Sequence, residues 1–321
     1  MKVSLIATVK DAGAHVGDFL DSVRAQTRPP DEIVIVDGGS TDGTVEVLRA
    51  ADDVAVLEAP GANISRGRNL AIEAAMHEVI AVSDADCVLS PNWLEDLLAP
   101  IERGADVAMG FYRPIVGSLF EAVAAGVALP EADEVDPGRF MPSSRSVAFR
   151  REAFERGGRY PEWLDVGEDM YLNHRFRELF LEMRFVPEAV AYWRMRPTVA
   201  ATWLQYFRYA RGDAIGAMYP ERHALRFGVY GTLAWAALTG RGGALKLLAA
   251  AAAWQAGKRL PRTIRLVRDR PAERALAVPL VPALIAFTDL AKMAGYVAGL
   301  LEQRHSPHAP SPARGPRAGT P

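Results

Sequence analysis

Over residues 1–111 the chain alternates short apolar runs with stretches of helical period, and few folds accommodate that order. Apolar runs bounded by turn residues cover 3–9, 32–37, 54–57, 79–83 and 107–111, with the length and β-branched content of buried strands. Helical periodicity covers 16–25, 44–51, 65–75 and 91–103 between them. Strands joined through helices rather than tight turns pair in parallel, and right-handed crossovers place the helices over both faces of the sheet. The expectation is an α/β domain on a mostly parallel sheet, without internal repeats.

In such a sheet, ligands gather beyond the carboxyl ends of the strands. The run Val79-Ile80-Ala81-Val82-Ser83 delivers Asp84-Ala85-Asp86-Cys87 to that edge. If the backbone stays extended, alternation turns Asp84 and Asp86 to the same side. They are then two hard oxygen ligands for a divalent cation such as Mg²⁺ or Mn²⁺, which fills its other positions with water and substrate phosphate. A solvated acidic turn is the plainer account of the same letters. The run over 32–37 ends similarly, in Asp37-Gly38-Gly39-Ser40-Thr41-Asp42-Gly43-Thr44. Paired glycines let a ligand approach the backbone, and Asp37 can accept hydrogen bonds from a ribose or a base. An ordinary capped turn explains Ser40 to Thr44 but leaves Asp37 without a partner. The first strand–helix junction, Thr8-Val9-Lys10-Asp11-Ala12-Gly13-Ala14, has neither the dinucleotide fingerprint nor a phosphate-loop Gly-Lys-Ser/Thr, which argues against a dehydrogenase or a P-loop enzyme.

At 321 residues and 50% hydrophobic content, the chain has ample material for a large core. Its single cysteine, Cys87, excludes an intramolecular disulfide and a multi-cysteine zinc site, and fits a reducing compartment. The start, Met1-Lys2-Val3-Ser4-Leu5-Ile6, runs into a strand pattern without a signal-peptide layout. A net charge of -2 hides a strong polarity. Residues 1–193 hold 18 Lys and Arg against 33 Asp and Glu, a net of -15, whereas 194–321 hold 19 against 6, a net of +13. The carboxyl-terminal part is therefore expected to meet something anionic. Nucleic-acid motifs are absent and the basic residues interleave with long apolar runs, so a membrane surface is the expected partner rather than nucleic acid.

Four segments, in order, resemble the family 2 glycosyltransferases of the GT-A fold. They are Asp37 to Thr44; Gly61-Ala62-Asn63-Ile64-Ser65-Arg66-Gly67-Arg68-Asn69-Leu70-Ala71-Ile72; Ser83-Asp84-Ala85-Asp86; and Gly157-Gly158-Arg159-Tyr160-Pro161-Glu162-Trp163-Leu164-Asp165-Val166-Gly167-Glu168-Asp169-Met170. The resemblance covers roughly residues 1–215. It implies transfer of a sugar from a nucleotide diphosphate to a hydroxyl of a lipid-linked or envelope glycan, with Asp86 holding the metal and Asp84 assisting. Asp169, at the start of a helical pattern over 170–180, falls on the family's general base, with Glu168 beside it, and direct displacement would invert the anomeric centre. Nucleoside contacts fall on Asp11 and Asp37, and Arg68 falls on an arginine whose planar fork suits a diphosphate. An ion pair between Arg68 and a sheet-end carboxylate is the structural alternative. Two departures stand out: Lys10 replaces a polar neutral residue of the first loop, and Trp193 occupies the region where many relatives carry a metal-binding histidine. Arg194 and Arg196 are then candidate cations for the diphosphate.

Gln205-x-x-Arg208-Tyr209 is similar to the Gln-x-x-Arg-Trp element of processive members, which makes Gln205 and Arg208 candidate acceptor-side residues; an interfacial amphipathic helix fits the same stretch. Further on, the uncharged runs 227–240 and 275–288 and the Ala/Leu-rich run 242–257, with its one Lys246, are each shorter than the roughly 18–20 residues of a clean membrane span. In-plane or re-entrant helices, two imperfect spans, or a helical subdomain packed on the sheet are the alternatives. The basic segment 258–274 suits the cytoplasmic leaflet. The expected organisation is a catalytic domain over 1–215, a basic and apolar helical membrane-associating region over 216–304, and a disordered tail over 305–321. Two competing functions are a polyprenyl-phosphate sugar synthase, whose phosphate acceptor needs little help from a base, and a catalytically idle membrane scaffold.

Overall fold

The computed structural model describes residues 1–303; the tail over 305–321 lies outside the described residues. The chain divides into two compact units, Met1–Met195 and the part from Arg196 onward. In the first, strands and helices follow in the order β1 (Val3–Val9), α1 (Gly13–Arg24), β2 (Glu32–Asp37), α2 (Thr44–Arg49), β3 (Ala55–Glu58), α3 (Ile64–Ala74), β4 (Val79–Val82), β5 (Cys87–Leu89), α4 (Trp93–Glu102) and β6 (Val107–Ile115). There follow α5 (Leu119–Ala128), β7 (Val147–Arg150), α6 (Arg151–Gly157), α7 (Glu168–Glu178) and β8 (Met183–Arg194). The second unit contains α8 (Val199–Ile215), α9 (Pro220–Leu238), α10 (Gly242–Leu266) and α11 (Pro271–Gln303).

The strands form one sheet in the order β3-β2-β1-β4-β7-β6-β8-β5. Its first half is parallel, as the alternating pattern requires: β2 pairs β1 and β3, and β1 pairs β4. The second half is mixed. β7 runs antiparallel between β4 and β6, and β5 antiparallel to β8, while β6 and β8 are parallel. At four residues, β7 is too short to announce itself by periodicity, yet it carries residues 143–145 to the carboxyl end of β4. One face of the sheet packs Ile6, Val34, Val36, Ile80 and Val82 with Phe149, Phe154 and Phe176. On α1 and α4, Phe19, Val23, Trp93, Leu94 and Leu97 are fully buried as well, as expected when helices cover both faces.

A short polar chain crosses the mixed half. Trp93 Nε1 donates to Ser146 Oγ at 2.7 Å, and Ser146 Oγ donates to the Ala189 carbonyl at 2.8 Å. These bonds fit only because residue 110, at the irregularity between Met109 and Phe111 in β6, has no side chain. A Cβ there would lie 1.9 Å from Ser146 Oγ and 2.7 Å from the Ala189 oxygen.

In the second unit α8 and α11 touch backbone to backbone. A Cβ on Gly295 would lie 2.0 Å from the Phe207 carbonyl oxygen, and one on Gly299 would lie 2.4 Å from that of Arg211; this is the close crossing that small residues four apart permit. The division after Met195, rather than near 215, follows from α8 packing along α11. Polar residues, buried at His223 and half-buried at the others, lock the helices: His223 bonds Asp213 at 3.0 Å, and Arg226 bonds Asp289 at 2.9 Å. The uncharged run over 275–288 and the stretch after it form one continuous 33-residue helix, α11, despite Pro279 and Pro282. Among the described residues α11 alone is long and apolar enough to cross a membrane.

Gly110→Ala should destabilise the first unit by about 1–3 kcal/mol, the usual cost of forcing an atom into a packed core. Urea unfolding of the variant beside the wild type measures this directly.

Candidate active site

Because β1, β2 and β4 are parallel, their carboxyl ends open on the same edge, and two loops there are laced together. The Asp11 N–H donates to Ser40 Oγ at 2.8 Å, Asp11 Oδ1 accepts from the Thr41 N–H at 2.9 Å, and Thr44 Oγ1 accepts from the Gly13 N–H at 2.8 Å. Asp37 is buried. Its Oδ1 accepts from the N–H groups of Gly39 (2.8 Å) and Ser40 (2.9 Å), and its Oδ2 from the Ser40 hydroxyl. The partners that the sequence did not provide for Asp37 are therefore in its own loop, which turns sharply at Gly39 with φ +93°.

After β4 the backbone does not stay extended. The Cys87 N–H donates to the Asp84 carbonyl at 3.0 Å, closing a turn through Ala85 and Asp86, so strict alternation does not orient the two carboxylates. Asp84 instead meets two guanidiniums: Arg68 Nη2 at 2.6 Å from Oδ1, and Arg145 Nε at 3.5 Å from Oδ2. Arg68, projecting from α3, is 2% exposed and also pairs with Glu168 at the start of α7. Burial opposes its charge, yet Asp84 and Glu168 together hold the guanidinium's pKa above its ordinary value. The ion pair anticipated as the structural alternative for Arg68 is present, and it engages two carboxylates rather than one.

Motifs far apart in sequence interlock around this arginine. Asn69, one residue on, donates to the Tyr160 carbonyl at 2.9 Å and accepts from the Tyr160 N–H at 3.2 Å. Ser65 Oγ donates to the Leu164 carbonyl at 3.0 Å, and Asn63 Nδ2 to Asp165 at 3.1 Å. α3 thereby fixes the loop over 158–167, which ends at Gly167 with φ +91° and aims Glu168 and Asp169 into the first turn of α7. Asp169 is half-buried and accepts from the Ser144 N–H at 3.3 Å. The neighbouring residue, Arg145, is the one that reaches Asp84. A dipeptide thus bridges the two acidic ends of the site, and Asp84 and Asp169 flank the same buried guanidinium.

Glu168 is the strained member. Burial, then the charge of Asp169, push its pKa up to about 7 against the opposing pull of Arg68. Arg68, shared between two carboxylates, keeps its proton, so Glu168 is the group that takes one up as the pH falls. Asp86 is partly exposed and lies beside the Cys87 thiol.

Sequence reasoning passed over Ser144 and Arg145, which carry no motif. Their signal is visible only through the pairing of β7 with β4. Trp193 stacks on the Arg145 guanidinium at 4.2 Å, and Arg194 pairs with Asp18. Gln205 and Arg208 belong to α8 in the second unit, where Gln205 Nε2 donates to the Tyr209 hydroxyl at 2.9 Å; Arg196 is in that unit too. A cavity of about 610 Å³ between α4 and β8, lined by Asp96, Arg103, Phe185 and Glu188, contains none of the site residues.

The sequence profile of glycosyl transferase family 2 matches residues 4–158, a stretch that contains Asp11, Asp37, Arg68, Asp84, Asp86 and Arg145. The chain carries a family 2 glycosyltransferase domain. Among named relatives, the O-antigen chain rhamnosyltransferase RfbN of Salmonella typhimurium is 24% identical over 218 residues, covering 59% of this chain and 65% of its own. The glycosyltransferase AglE of Haloferax volcanii is 26% identical over 206 residues, covering 61% and 67%. The chain thus spans about two thirds of their length, in the case of RfbN slightly less. Among solved structures, the mannosyltransferase PcManGT of Pyrobaculum calidifontis, in complex with GDP-Man and Mn²⁺, superposes with a TM-score of 0.53 at 19% identity, over 95% of this chain and 87% of that one. The fold is accordingly GT-A-like.

In the glycosyltransferase domain the carboxylates that could hold a cation are Asp84 and Asp86; among the described residues no group of three or more His, Cys, Asp or Glu side chains converges on a point. Two hard carboxylates without a third protein ligand fit an ion that keeps water and phosphate in its shell.

The pH dependence of stability follows from Glu168. At pH below 4.5, the ordinary value for a glutamate, the side chain is neutral both folded and unfolded. Between there and about 7 the unfolded chain releases a proton that the folded domain retains, so this group's contribution to stability falls as the pH rises and is lost above about 7. Glu168→Gln removes that slope. Urea unfolding should therefore show the variant gaining on the wild type from pH 5 to pH 8, and equal slopes would count against the assignment.

Proposed function

We propose that the protein is an inverting glycosyltransferase that moves a sugar from a nucleotide diphosphate to a hydroxyl of a lipid-linked or cell-envelope glycan, working at the cytoplasmic face of the membrane. The observation that carries this reading is the bridge Asp169–Ser144–Arg145–Asp84, which sets a carboxylate suited to proton abstraction and a carboxylate of the metal-binding pair around one fixed cation. In the proposed reaction the acceptor hydroxyl attacks the anomeric carbon while Asp169 takes its proton. The bond from that carbon to the diphosphate oxygen breaks, and the electron pair leaves with the diphosphate. Attack opposite the leaving group inverts the centre. A divalent cation held by Asp86 and Asp84 would neutralise charge on the departing diphosphate. Asp37 and Asp11 shape the first two loops, against which the nucleoside would rest.

RfbN acts on an O-antigen chain by its name, and PcManGT binds GDP-Man with Mn²⁺; both support an envelope acceptor, a nucleotide-sugar donor and a metal. Membrane association is supported by α11 and by exposed apolar side chains on the helices of the second unit, among them Leu225, Leu238 and Trp254. It is supported too by the net charge of +13 over 194–321, which an anionic leaflet would attract.

Asp169→Asn should lower transfer by roughly 10²–10⁴-fold, the usual share of a general base, with donor KM nearly unchanged. Nucleotide release from a panel of nucleotide sugars, with membrane acceptors present, is the assay; a loss below tenfold would exclude the base role. Asp86→Ala should abolish the Mg²⁺- or Mn²⁺-dependent part of nucleotide binding, and titration heats equal to those of the wild type would remove Asp86 from the metal site.

A further inference from the structure

The guanidinium that the resemblance associates with the diphosphate, that of Arg68, is 2% exposed, with one nitrogen on Asp84 and another on Glu168. A donor phosphate would compete there with two carboxylates that already hold the guanidinium. The same edge of the sheet holds a second guanidinium on different terms. β4 and β7 pair Val82 with Val147, and continuing that antiparallel register two residues past both strands brings Arg145 opposite Asp84. It contacts Asp84 Oδ2 through Nε at 3.5 Å. Ser143 Oγ accepts from Nη1 at 2.8 Å. The flat face of the guanidinium lies on the Trp193 indole, 4.2 Å from the ring centre. β5 and β8 pair Trp193 with Cys87, next to Asp86, so this platform places Arg145 beside both acids of the Asp-x-Asp turn. Stacking occupies the face of a guanidinium and leaves its N–H groups in the plane, which is the edge that phosphate oxygens bind. Its side chain is 18% exposed where that of Arg68 is sealed.

We infer that Arg145, braced by Trp193, is the side chain that binds the diphosphate of the nucleotide donor, while Arg68 serves as the internal support of the two acidic segments. The assignment rests on the nucleotide-sugar transferase reading of this site. It gives the tryptophan, which cannot ligate a metal, a part in the donor site: it holds a cation where relatives in the resemblance carry histidine. As the bond to the anomeric carbon breaks, the electron pair moves to the terminal phosphate oxygen, and Arg145 meets that growing charge.

Calorimetric titration of the full chain with UDP, GDP and dTDP, and with the matching monophosphates, in the presence of Mn²⁺, tests this. In the wild type one diphosphate should bind more tightly than its monophosphate. Arg145→Ala should weaken that diphosphate by about ten- to hundredfold, the range for a charged hydrogen-bonding partner, and leave the monophosphate within about threefold, so that their affinity ratio collapses. Arg145→Lys should fall between, and Arg145→Gln gives the same readout if the alanine variant does not fold. A ratio unchanged in these variants, or an equal fall for mono- and diphosphate, overturns the assignment and leaves the transferase reading standing. Failure of the wild type to bind any of the three diphosphates overturns the transferase reading, and this assignment with it.

Discussion

The buried bridge from Asp84 through Arg68 to Glu168 is the interaction on which the catalytic edge depends. Each partner comes from a different part of the chain: α3, the turn after β4, and the head of α7. Removing a lone guanidinium from water is unfavourable, and so is burying either carboxylate; together they are tolerable only as a set. The set therefore behaves as a latch. It forms when the loop over 158–167 has docked on α3 through Asn69, Ser65 and Asn63, and once formed it fixes where Asp169 stands relative to Asp84.

That arrangement separates holding from acting. Carboxylates that must stay in place are given partners on both sides: Asp37 has its own loop, Asp84 its two arginines, Glu168 its share of Arg68. The residues left half-exposed, Asp86 and Asp169, are those to which the chemistry is assigned. Glu168 shows what the compactness costs. Pressed between burial and the charge of Asp169, it ionises only near neutrality.

Much of this was legible in the sequence, and the boundary of legibility has a physical cause. Strands β1 to β4 and helices α1 to α4 were readable because each repeats its apolar period over several residues, and the positions of Asp37, Asp84 and Asp86 follow from strand ends alone. Arg68 could be singled out but not assigned, since a helical arginine next to a sheet reads equally as a ligand for phosphate or for carboxylate until the second carboxylate, a hundred residues later, is seen beside it. Ser144 and Arg145 were illegible for another reason. They precede a four-residue strand whose partner is fixed by long-range register, and no local pattern encodes register across sixty residues. The compact units divide one helix before residue 215, and nothing in the composition of α8 reveals that Gly295 and Gly299 of α11 leave room for its backbone.

The charge of the site carries one more consequence. Asp84, Asp86, Glu168 and Asp169 set four carboxylates around two guanidiniums, and Asp11 and Asp37 stand on the adjoining loops. Even with Glu168 protonated, the balance is negative, and a nucleotide diphosphate is itself an anion. Two anions do not approach in a partly desolvated site without a countercharge. In the proposed reaction Arg145 meets part of that charge, while Arg68 is shared between its two carboxylates. A divalent cation brings charge of that size and kind, and in the proposed reaction the Asp84-Ala85-Asp86 turn would receive it.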